Sequence, residues 1–310
     1  MSALICGSMA YDTIMVFHDK FKNHILPEKV HMLNVCFLVP TIRREFGGCA
    51  GNIAYNLKLL GEQPLIMATV GHDFEPYAQW LSQCHIPAKY INKLDGEFTG
   101  QAYITTDEDD NQITAFHPGA MNESHQNSIP ETENISIGIV SPDGKQGMQQ
   151  HAQEFADAGV PFIFDPGQGM PMFSGDELLE LLDLATWATF NDYESALMQE
   201  VTGLSLEKIA ERVDALIITL GGDGSKIYTE GKCIDIPSAK AKELKDPTGC
   251  GDAYRAGLLY GIMNEYEWED TGRIASLLGS IKIEHHGTQN HSFTLEQFKA
   301  RYKESFGRTF

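Results

Sequence analysis

The chain has 310 residues, 42% of them hydrophobic and 21% charged, which is enough for a packed globular core. A formal net charge of −20 argues against an electrostatic nucleic-acid binder, because such proteins need a basic surface. The six cysteines include no Cys-x-x-Cys pair, and no apolar run approaches the roughly 18 residues of a membrane span. We therefore expect a cytoplasmic protein with reduced thiols that binds neither nucleic acid nor membranes.

The first 120 residues combine helical segments with strand-like ones. Residues 13–45 and 96–117 have β-branched and polar residues without a helical period, and we interpret them as one small inserted β-sheet that forms a lid. The elements predicted in this part are strands at 3–6, 30–35, 37–39, 65–70, 99–106 and 111–116, and helices at 50–60 and 74–83.

From about residue 135 strands and helices alternate. The predicted elements are strands at 135–140, 160–164, 186–190 and 215–220, helices at 148–158, 175–184, 206–213 and 274–283 and from 193, and a hairpin at 226–236. This alternation is typical of a mainly parallel sheet with helices on both faces. We predict a single α/β domain over residues 1–310, with three layers (α/β/α) and the lid inserted at about 13–45 and 96–117.

Polar or glycine-rich residues follow several of the predicted strands. They are Asp12, Asp165, Asn191, the Gly221–Gly224 turn and the segment Asp246–Asp252. Because open parallel sheets bind ligands at the carboxyl ends of their strands, these segments predict a single cleft.

The segment Asp246–Gly261 begins with a glycine turn and continues as a helix. Free N–H groups and the helix dipole make such a helix start suitable for phosphate. Asp252 lies in the first turn, where it is either a structural N-cap or a carboxylate that faces a ligand. Gly249 and Gly251 favour the second interpretation, because they allow a ligand to approach the backbone closely.

Other motifs allow both a structural and a functional interpretation. Gly48 and Asn52 open an ordinary helix or approach substrate hydroxyls, and Asn191 with Glu194 forms a helix cap or holds hydrated Mg²⁺. The turn at Gly221 contains neither a Walker motif nor a dinucleotide-binding fingerprint.

Two further pairs lie in the predicted lid. Phe116 and His117 would contact a base or a sugar, or are merely exposed. Arg43 and Arg44 are a solvated pair, or one of them reaches phosphate as the lid closes.

Three motifs together resemble the ribokinase-like (PfkB-type) carbohydrate and nucleoside kinases. Gly47-Gly48-x-x-Gly51-Asn52 is similar to the first signature of that family, and Asp246-Pro-Thr-Gly-Cys-Gly-Asp252 is similar to the second. Asn191-x-x-Glu194 matches the Asn-x-x-Glu motif. The resemblance covers nearly the whole chain, and its finer features, including residues 115–121, are most similar to bacterial adenosine or nucleoside kinases.

The resemblance implies a role for each site residue. Asp252 would be the catalytic base, with Gly249, Cys250 and Gly251 as the anion hole, and Asp12, Gly48 and Asn52 would bind sugar hydroxyls. ATP would lie beside Asn191, Thr219, Gly221, Gly224 and Asn290. Glu194 would hold Mg²⁺ through water, and Asp246 and Thr248 would line a monovalent-cation site for K⁺.

The implied activity is transfer of the ATP γ-phosphoryl group to the 5′-hydroxyl of a nucleoside, with adenosine as the expected substrate. The alternatives are a free sugar such as ribose or fructose, and a non-catalytic nucleoside-binding protein. Cys250 replaces the usual Ala, which suggests sensitivity to oxidation. An exposed edge of the lid would allow a homodimer as well as a monomer.

Overall fold

The computed structural model describes residues 2–25, 31–32, 34–109, 111–131 and 133–310. The strands in these ranges are β1 (Ser2–Cys6), β2 (Ala10–Val16), β3 (Thr41–Gly47), β4 (Pro64–Gly71), β5 (Tyr90–Leu94), β6 (Gly100–Thr106), β7 (Gln112–His117), β8 (Ile135–Val140), β9 (Phe162–Phe164), β10 (Trp187–Asn191), β11 (Ala215–Thr219), β12 (Ser225–Thr229) and β13 (Lys232–Ile236). The helices are α1 (Cys49–Leu59), α2 (Glu75–Gln83), α3 (Lys145–Asp157), α4 (Gly175–Leu184), α5 (Asp192–Thr202), α6 (Leu206–Ala210), α7 (Cys250–Met263), α8 (Trp268–Ile283) and α9 (Leu295–Phe306).

The large sheet has nine strands in the order β13-β12-β11-β10-β9-β8-β1-β4-β5. All neighbouring pairs from β11 to β5 are parallel, whereas the β11–β12 and β12–β13 pairs at one end are antiparallel. The prediction of a mainly parallel α/β sheet with helices on both faces is confirmed.

Alternate residues of the strands face two separate hydrophobic cores. On β11, Ala215 and Ile217 pack in the core that contains the apolar faces of α1, α7 and α8, whereas Leu216 and Ile218 pack in the core that contains those of α3, α4 and α5. Strand side chains alternate between the faces of a sheet, so each apolar strand is buried on both sides. This packing fixes the carboxyl ends of the parallel strands along one edge.

A separate four-stranded sheet has the order β3-β2-β6-β7. The predicted antiparallel pair at 99–106 and 111–116 corresponds to β6 and β7. The strand predicted at 37–39 is wrong, since residues 34–40 form no strand, and the one predicted at 30–35 includes residues 30 and 33, which lie outside the described residues. Residues 26–30 of the predicted lid also lie outside them.

Within the described ranges, no helix combines the length and the apolar character that crossing a bilayer requires.

Candidate active site

The N-terminus of α7 carries Asp252 in its first turn. Gly249 precedes the helix with φ 77°, a left-handed conformation that favours glycine. Asp252 does not cap its own helix. Instead, its Oδ2 accepts a hydrogen bond of 2.8 Å from the Nδ2 of Asn52, a buried residue of α1. The carboxylate therefore faces α1 and does not serve as the structural N-cap that the sequence also allowed.

Two backbone N–H groups beside Asp252 are available to a ligand. In the described part of the chain, neither Gly249 nor Gly251 donates its N–H to another residue. Cys250 differs from the prediction, because its N–H donates to the Pro247 carbonyl at 3.1 Å. The tight turn before the helix uses this donor, so the structure offers two of the three predicted anion-hole groups.

Burial is the main influence on the Asp252 carboxyl. It raises the pKa of Asp252, while the positive charge of Arg255 and the hydrogen bond from Asn52 act in the opposite direction. The dipole at the helix N-terminus favours the ionised form of this group. Loss of water outweighs that effect, which makes the carboxylate a stronger base than an exposed one.

A chain of amide hydrogen bonds orients Asn52. Trp80 Nε1 donates to Gln289 Oε1 at 2.8 Å, and Gln289 Nε2 donates to Asn52 Oδ1 at 3.0 Å. An indole nitrogen can only donate, so it requires the oxygen of Gln289 to face it. The amide nitrogen of Gln289 then faces Asn52, and the amide nitrogen of Asn52 faces Asp252. Trp80 helps to set the orientation of the whole chain, together with the Tyr77 hydroxyl, which accepts a second hydrogen bond from Gln289 Nε2 at 2.7 Å.

Trp80→Phe is expected to lower kcat about fivefold, since a lost hydrogen bond is worth about 1 kcal/mol. Without the indole donor, only the Tyr77 hydroxyl orients Gln289, so the amide of Asn52 is held less firmly and the pKa of Asp252 rises further. The acidic limb of the pH–kcat profile should therefore move to higher pH. Trp187→Phe is the matched control, because that indole is also half-buried and donates to no described residue. An unchanged profile for Trp80→Phe would contradict the role of the chain.

Arg255 lies one helical turn after Asp252, and sequence reasoning missed it. Its guanidinium pairs with both carboxylate oxygens of Asp165, the buried residue that follows β9; Nη2 lies 2.7 Å from Oδ1. A Cβ atom placed on Gly251 would lie 2.5 Å from Arg255 Nη1, so the guanidinium lies against the glycine turn. A largely buried cation, with 11% of its side chain exposed, therefore lies next to the free N–H groups.

Asp12 lies on β2 and shares the electrostatic environment of Asp252. Burial raises the pKa of Asp12 to about 6, and the negative charges of Asp252, Asp246 and Glu45 act in the same direction. Asp12 is predicted to follow a strand, whereas the structure places it within β2. A carboxylate surrounded by other carboxylates is a good acceptor for hydroxyl donors, because such donors reduce the mutual repulsion.

Asp12→Asn is expected to stabilise the free protein at neutral pH and not below about pH 4. The pKa of Asp12 is higher in the folded state than the usual 3.8, so stability falls as the pH rises from about 4 through about 6. The amide side chain of the variant does not titrate, so the variant does not lose this stability as the pH rises. Thermal unfolding across this range tests the prediction, with Asp95→Asn, an exposed carboxylate after β5, as control. Equal pH dependence of wild type and Asp12→Asn would contradict it.

A row of paired residues crosses the small sheet. Glu45 pairs with Asp12, Asp12 with Ala102, and Ala102 with Phe116. Directly paired residues share a sheet face, so Phe116 lies on the Asp12 face, two strands or about 10 Å away. Its ring is 52% exposed and is free to contact a ligand. The neighbouring residue, His117, lies on the opposite face, and its predicted contact with the substrate stays a prediction.

Gly48 precedes α1, and the first N–H groups of this helix already donate hydrogen bonds within the protein. The N–H of Cys49 donates to the hydroxyl of Ser8, and that of Ala50 donates to the Ser8 carbonyl at 3.0 Å. Gly48 has φ 85°, and a Cβ there would lie 2.5 Å from the Ser8 carbonyl oxygen. Close packing therefore explains this glycine, and its predicted sugar contact stays a prediction.

Asn191 and Glu194 form a capping box at the start of α5. Asn191 Oδ1 accepts the Glu194 N–H at 2.7 Å, and Glu194 Oε2 accepts the Asn191 N–H at 2.8 Å. This is the structural interpretation of the motif. The other carboxylate oxygen of Glu194 accepts from no residue in the part of the chain that is described, which leaves it free for a water molecule.

Asn191 lies in register with Thr219 at the ends of two neighbouring strands. Gly221 and Gly224 follow with positive φ angles of 56° and 93°, as a tight turn at the same edge. Asn290 is elsewhere: its Nδ2 donates to Glu45 Oε2 at 2.8 Å, so it joins the small sheet.

The two lid arginines point in different directions. Arg43 approaches Asp246, with Nη2 at 3.8 Å from Oδ2, whereas Arg44 lies 3.7 Å from the centre of the Tyr11 ring on the opposite face. Alternation along β3 explains the difference, and Arg43 is the one beside the site.

The thiol of Cys250 is not activated. Burial raises its pKa to about 11, so it remains protonated near neutral pH. Because the thiolate is the species that oxidises readily, the structure disfavours the predicted sensitivity to oxidation.

Asp246 and Thr248 lie in the loop before α7. The Thr248 N–H donates to Asp246 Oδ1 at 2.9 Å, and the Gly287 N–H donates to Oδ2 at 2.9 Å. Burial acts to raise the pKa of Asp246, but these hydrogen bonds and the charge of Lys282 outweigh it and lower the pKa. The predicted cation position thus already contains donors.

The mainly parallel sheet, the separate small sheet and the helices on both faces define a ribokinase-like α/β protein, with a carboxylate and free N–H groups at one helix start. The chain belongs to the pfkB family of carbohydrate kinases, whose profile matches residues 10–295. Members of this family are phosphotransferases that act on hydroxyl groups.

The relatives include a nucleoside kinase of Methanocaldococcus jannaschii, which is 33% identical over 276 residues that cover 88% of this chain and 91% of the relative. The solved structure of Burkholderia thailandensis nucleoside kinase in complex with inosine is 50% identical, with a TM-score of 0.91 and 99% of each chain covered. A Lactococcus lactis ribokinase is 29% identical over 227 residues, which cover 66% of this chain and 68% of that one.

Proposed function

We propose that this protein transfers the γ-phosphoryl group of ATP to the 5′-hydroxyl of a nucleoside. The observation that carries the proposal is the convergence of the Asp252 carboxylate, the free N–H groups of Gly249 and Gly251, and the Arg255 guanidinium at one helix start. The Burkholderia thailandensis nucleoside kinase, whose structures include complexes with inosine and with ADP-inosine, supports it by its 50% identity over nearly the whole chain.

In the proposed reaction the 5′-oxygen of the nucleoside forms a bond to the γ-phosphorus, while the bond to the bridging oxygen of ADP breaks. The hydroxyl proton passes to Asp252. The N–H groups of Gly249 and Gly251 and the guanidinium of Arg255 stabilise the charge on the transferring phosphoryl oxygens. Because this transition state is loose, positioning and charge contribute more than basicity.

The ATP side of the proposed site consists of Asn191, Thr219, Gly221 and Gly224 along the sheet edge. The position of Asn290 against Glu45 gives it a weaker link to ATP. Glu194 has a free carboxylate oxygen that fits the indirect, water-mediated binding that Mg²⁺ often uses. When bound, Mg²⁺ would neutralise charge on the ATP phosphates.

The proposed substrate side is the face of the small sheet that carries Asp12 and Phe116. A carboxylate and an aromatic ring about 10 Å apart, separated by the small residue Ala102, suit a ribose with an attached base. Adenosine remains the substrate that the sequence predicts, and inosine is a second purine nucleoside to test. The likeness to a ribokinase keeps free ribose as the alternative substrate.

A homodimer through the small sheet is also proposed. Ile42, Tyr103 and Ile113 lie on the face opposite Asp12, and each is at least 44% exposed. An exposed apolar sheet face of this kind suits a second copy of the chain. A monomer in analytical ultracentrifugation would contradict this part of the proposal.

An ATP-consumption screen over adenosine, inosine, guanosine, cytidine, ribose and fructose tests the proposed function. We expect turnover with at least one purine nucleoside and a much lower kcat/KM with either free sugar. Turnover with ribose alone would identify a sugar kinase, and no turnover with any compound would favour a non-catalytic binding protein.

A further inference from the structure

Lys282, in the last turn of α8, is a lysine with no solvent exposure. A buried ammonium group is costly unless nearby oxygens replace its lost water. Its neighbours in the sequence are Ile281 and Ile283, and the packing of α8 in the folded chain buries it completely.

Three oxygen atoms surround the ammonium group. Lys282 Nζ donates to the Asp246 carbonyl at 2.7 Å and to the His285 carbonyl at 3.4 Å, and it lies 3.9 Å from Asp246 Oδ1. Two carbonyls and one carboxylate are the kind of ligand set that a monovalent cation also uses. The ammonium therefore lies among the oxygens that a potassium ion at Asp246 would bind.

Both carboxylate oxygens of Asp246 already accept hydrogen bonds. Its two carboxylate oxygens accept from the N–H groups of Thr248 and Gly287, both at 2.9 Å, and Arg43 Nη2 lies 3.8 Å from Oδ2. An added metal ion would have to displace these donors and a lysine side chain fixed by α8. The residues present do not fit a bound potassium ion.

We propose that the Lys282 ammonium is a built-in monovalent cation, which makes the activity and the stability of this protein independent of potassium.

The position of the ammonium suggests how it acts on the site. It connects the loop that leads to Gly249 with the segment after α8, beside the N–H groups of Lys245 and Asp246, which donate to the Ile283 carbonyl at 2.9 and 3.2 Å. The loop before α7 is thereby held to the end of α8. The same positive charge favours anions at the start of α7.

The first experiment uses the wild-type protein in potassium-free buffer that contains a tetramethylammonium salt. Potassium chloride then replaces that salt at constant ionic strength. We expect the same kcat with a purine nucleoside and the same Tm in both solutions. An increase in either quantity with potassium would overturn the proposal.

Two variants at this position distinguish the effect of the ammonium charge from the effect of the side-chain volume. Lys282→Ala opens a hole lined by the same oxygens, so we expect kcat to fall at least about tenfold without potassium and to recover with it, as expected for a lost buried charge contact. Potassium should also raise the Tm of this variant, because it binds only the folded state. Lys282→Met fills the hole without charge, so potassium should restore neither quantity.

A Lys282→Ala protein that potassium neither activates nor stabilises would overturn the proposal. If that variant fails to fold, the wild-type comparison decides. The activity readout rests on the proposed function, whereas the Tm readout does not. A wild type that phosphorylates no nucleoside but has a potassium-independent Tm would therefore contradict the proposed function. The same result would support the proposed role of the Lys282 ammonium.

Discussion

Asp252→Asn is expected to lower kcat by a factor of about 10²–10⁴, the usual effect of removing a positioned acid–base group. The amide keeps the size of the side chain at the start of α7, but it cannot accept the hydroxyl proton. The KM for ATP should change little, because the N–H groups of Gly249 and Gly251 are unaffected. Steady-state kinetics with a purine nucleoside measure both quantities.

The control for this variant is Asp176→Asn, which removes an exposed carboxylate from the first turn of α4. It should reduce helix stability slightly through the dipole and leave kcat unchanged. An Asp252→Asn protein with near-wild-type turnover would show that Asp252 is not the base, whatever its position in the site.

Arg255→Met is expected to reduce the free energy of unfolding by about 3–5 kcal/mol, because it leaves the buried Asp165 carboxylate without a partner. The side chain of Asp165 is only 1% exposed, so water cannot replace the guanidinium. Turnover should fall as well, because the proposed phosphoryl site loses a cation. Denaturant unfolding and kinetics of the same preparation measure the two effects.

The double variant Asp165→Leu with Arg255→Met separates the two roles of the guanidinium. Replacing both charges by apolar groups removes the unpaired carboxylate and should recover most of the stability, but not the turnover. Full recovery of turnover in the double variant would show that Arg255 is purely structural.

Hydrophobic pattern was sufficient to predict most of the large sheet. The apolar strand predicted at 215–220 is β11, and the helix predicted at 175–184 is α4, with the capping box of Ser174 at its start. Strands buried on both faces are continuous apolar runs, which are distinct in sequence. The edge strand β5 was missed, because its five residues Tyr90–Leu94 are only partly buried and mix polar with apolar side chains.

The helix α9 was also missed, although Thr294 with Gln297 forms a capping box and Phe298 and Tyr302 follow at helical spacing. That signal was present in the sequence. The spacing of Asp252 and Arg255 was equally visible, since three residues are nearly one helical turn. The burial of Lys282 had no such signal, because Ser280 and Glu284 lie close to it in the sequence.

Other features of the site depend on tertiary structure alone. Asn52 and Asp252 are 200 residues apart, and their contact exists because α1 packs against α7. The amide chain from Trp80 through Gln289 joins three distant segments. The use of the Cys250 N–H within its own turn also follows from local backbone geometry that residue types do not specify.

The most direct measurement is the ³¹P NMR spectrum of the product formed from inosine, ATP and Mg²⁺. A nucleoside 5′-kinase produces one new phosphomonoester signal that is coupled to the two 5′ protons, together with ADP. This is the result that the proposed site predicts. A phosphoester on the 2′- or 3′-oxygen, or ADP formation with ribose and none with inosine, would contradict it.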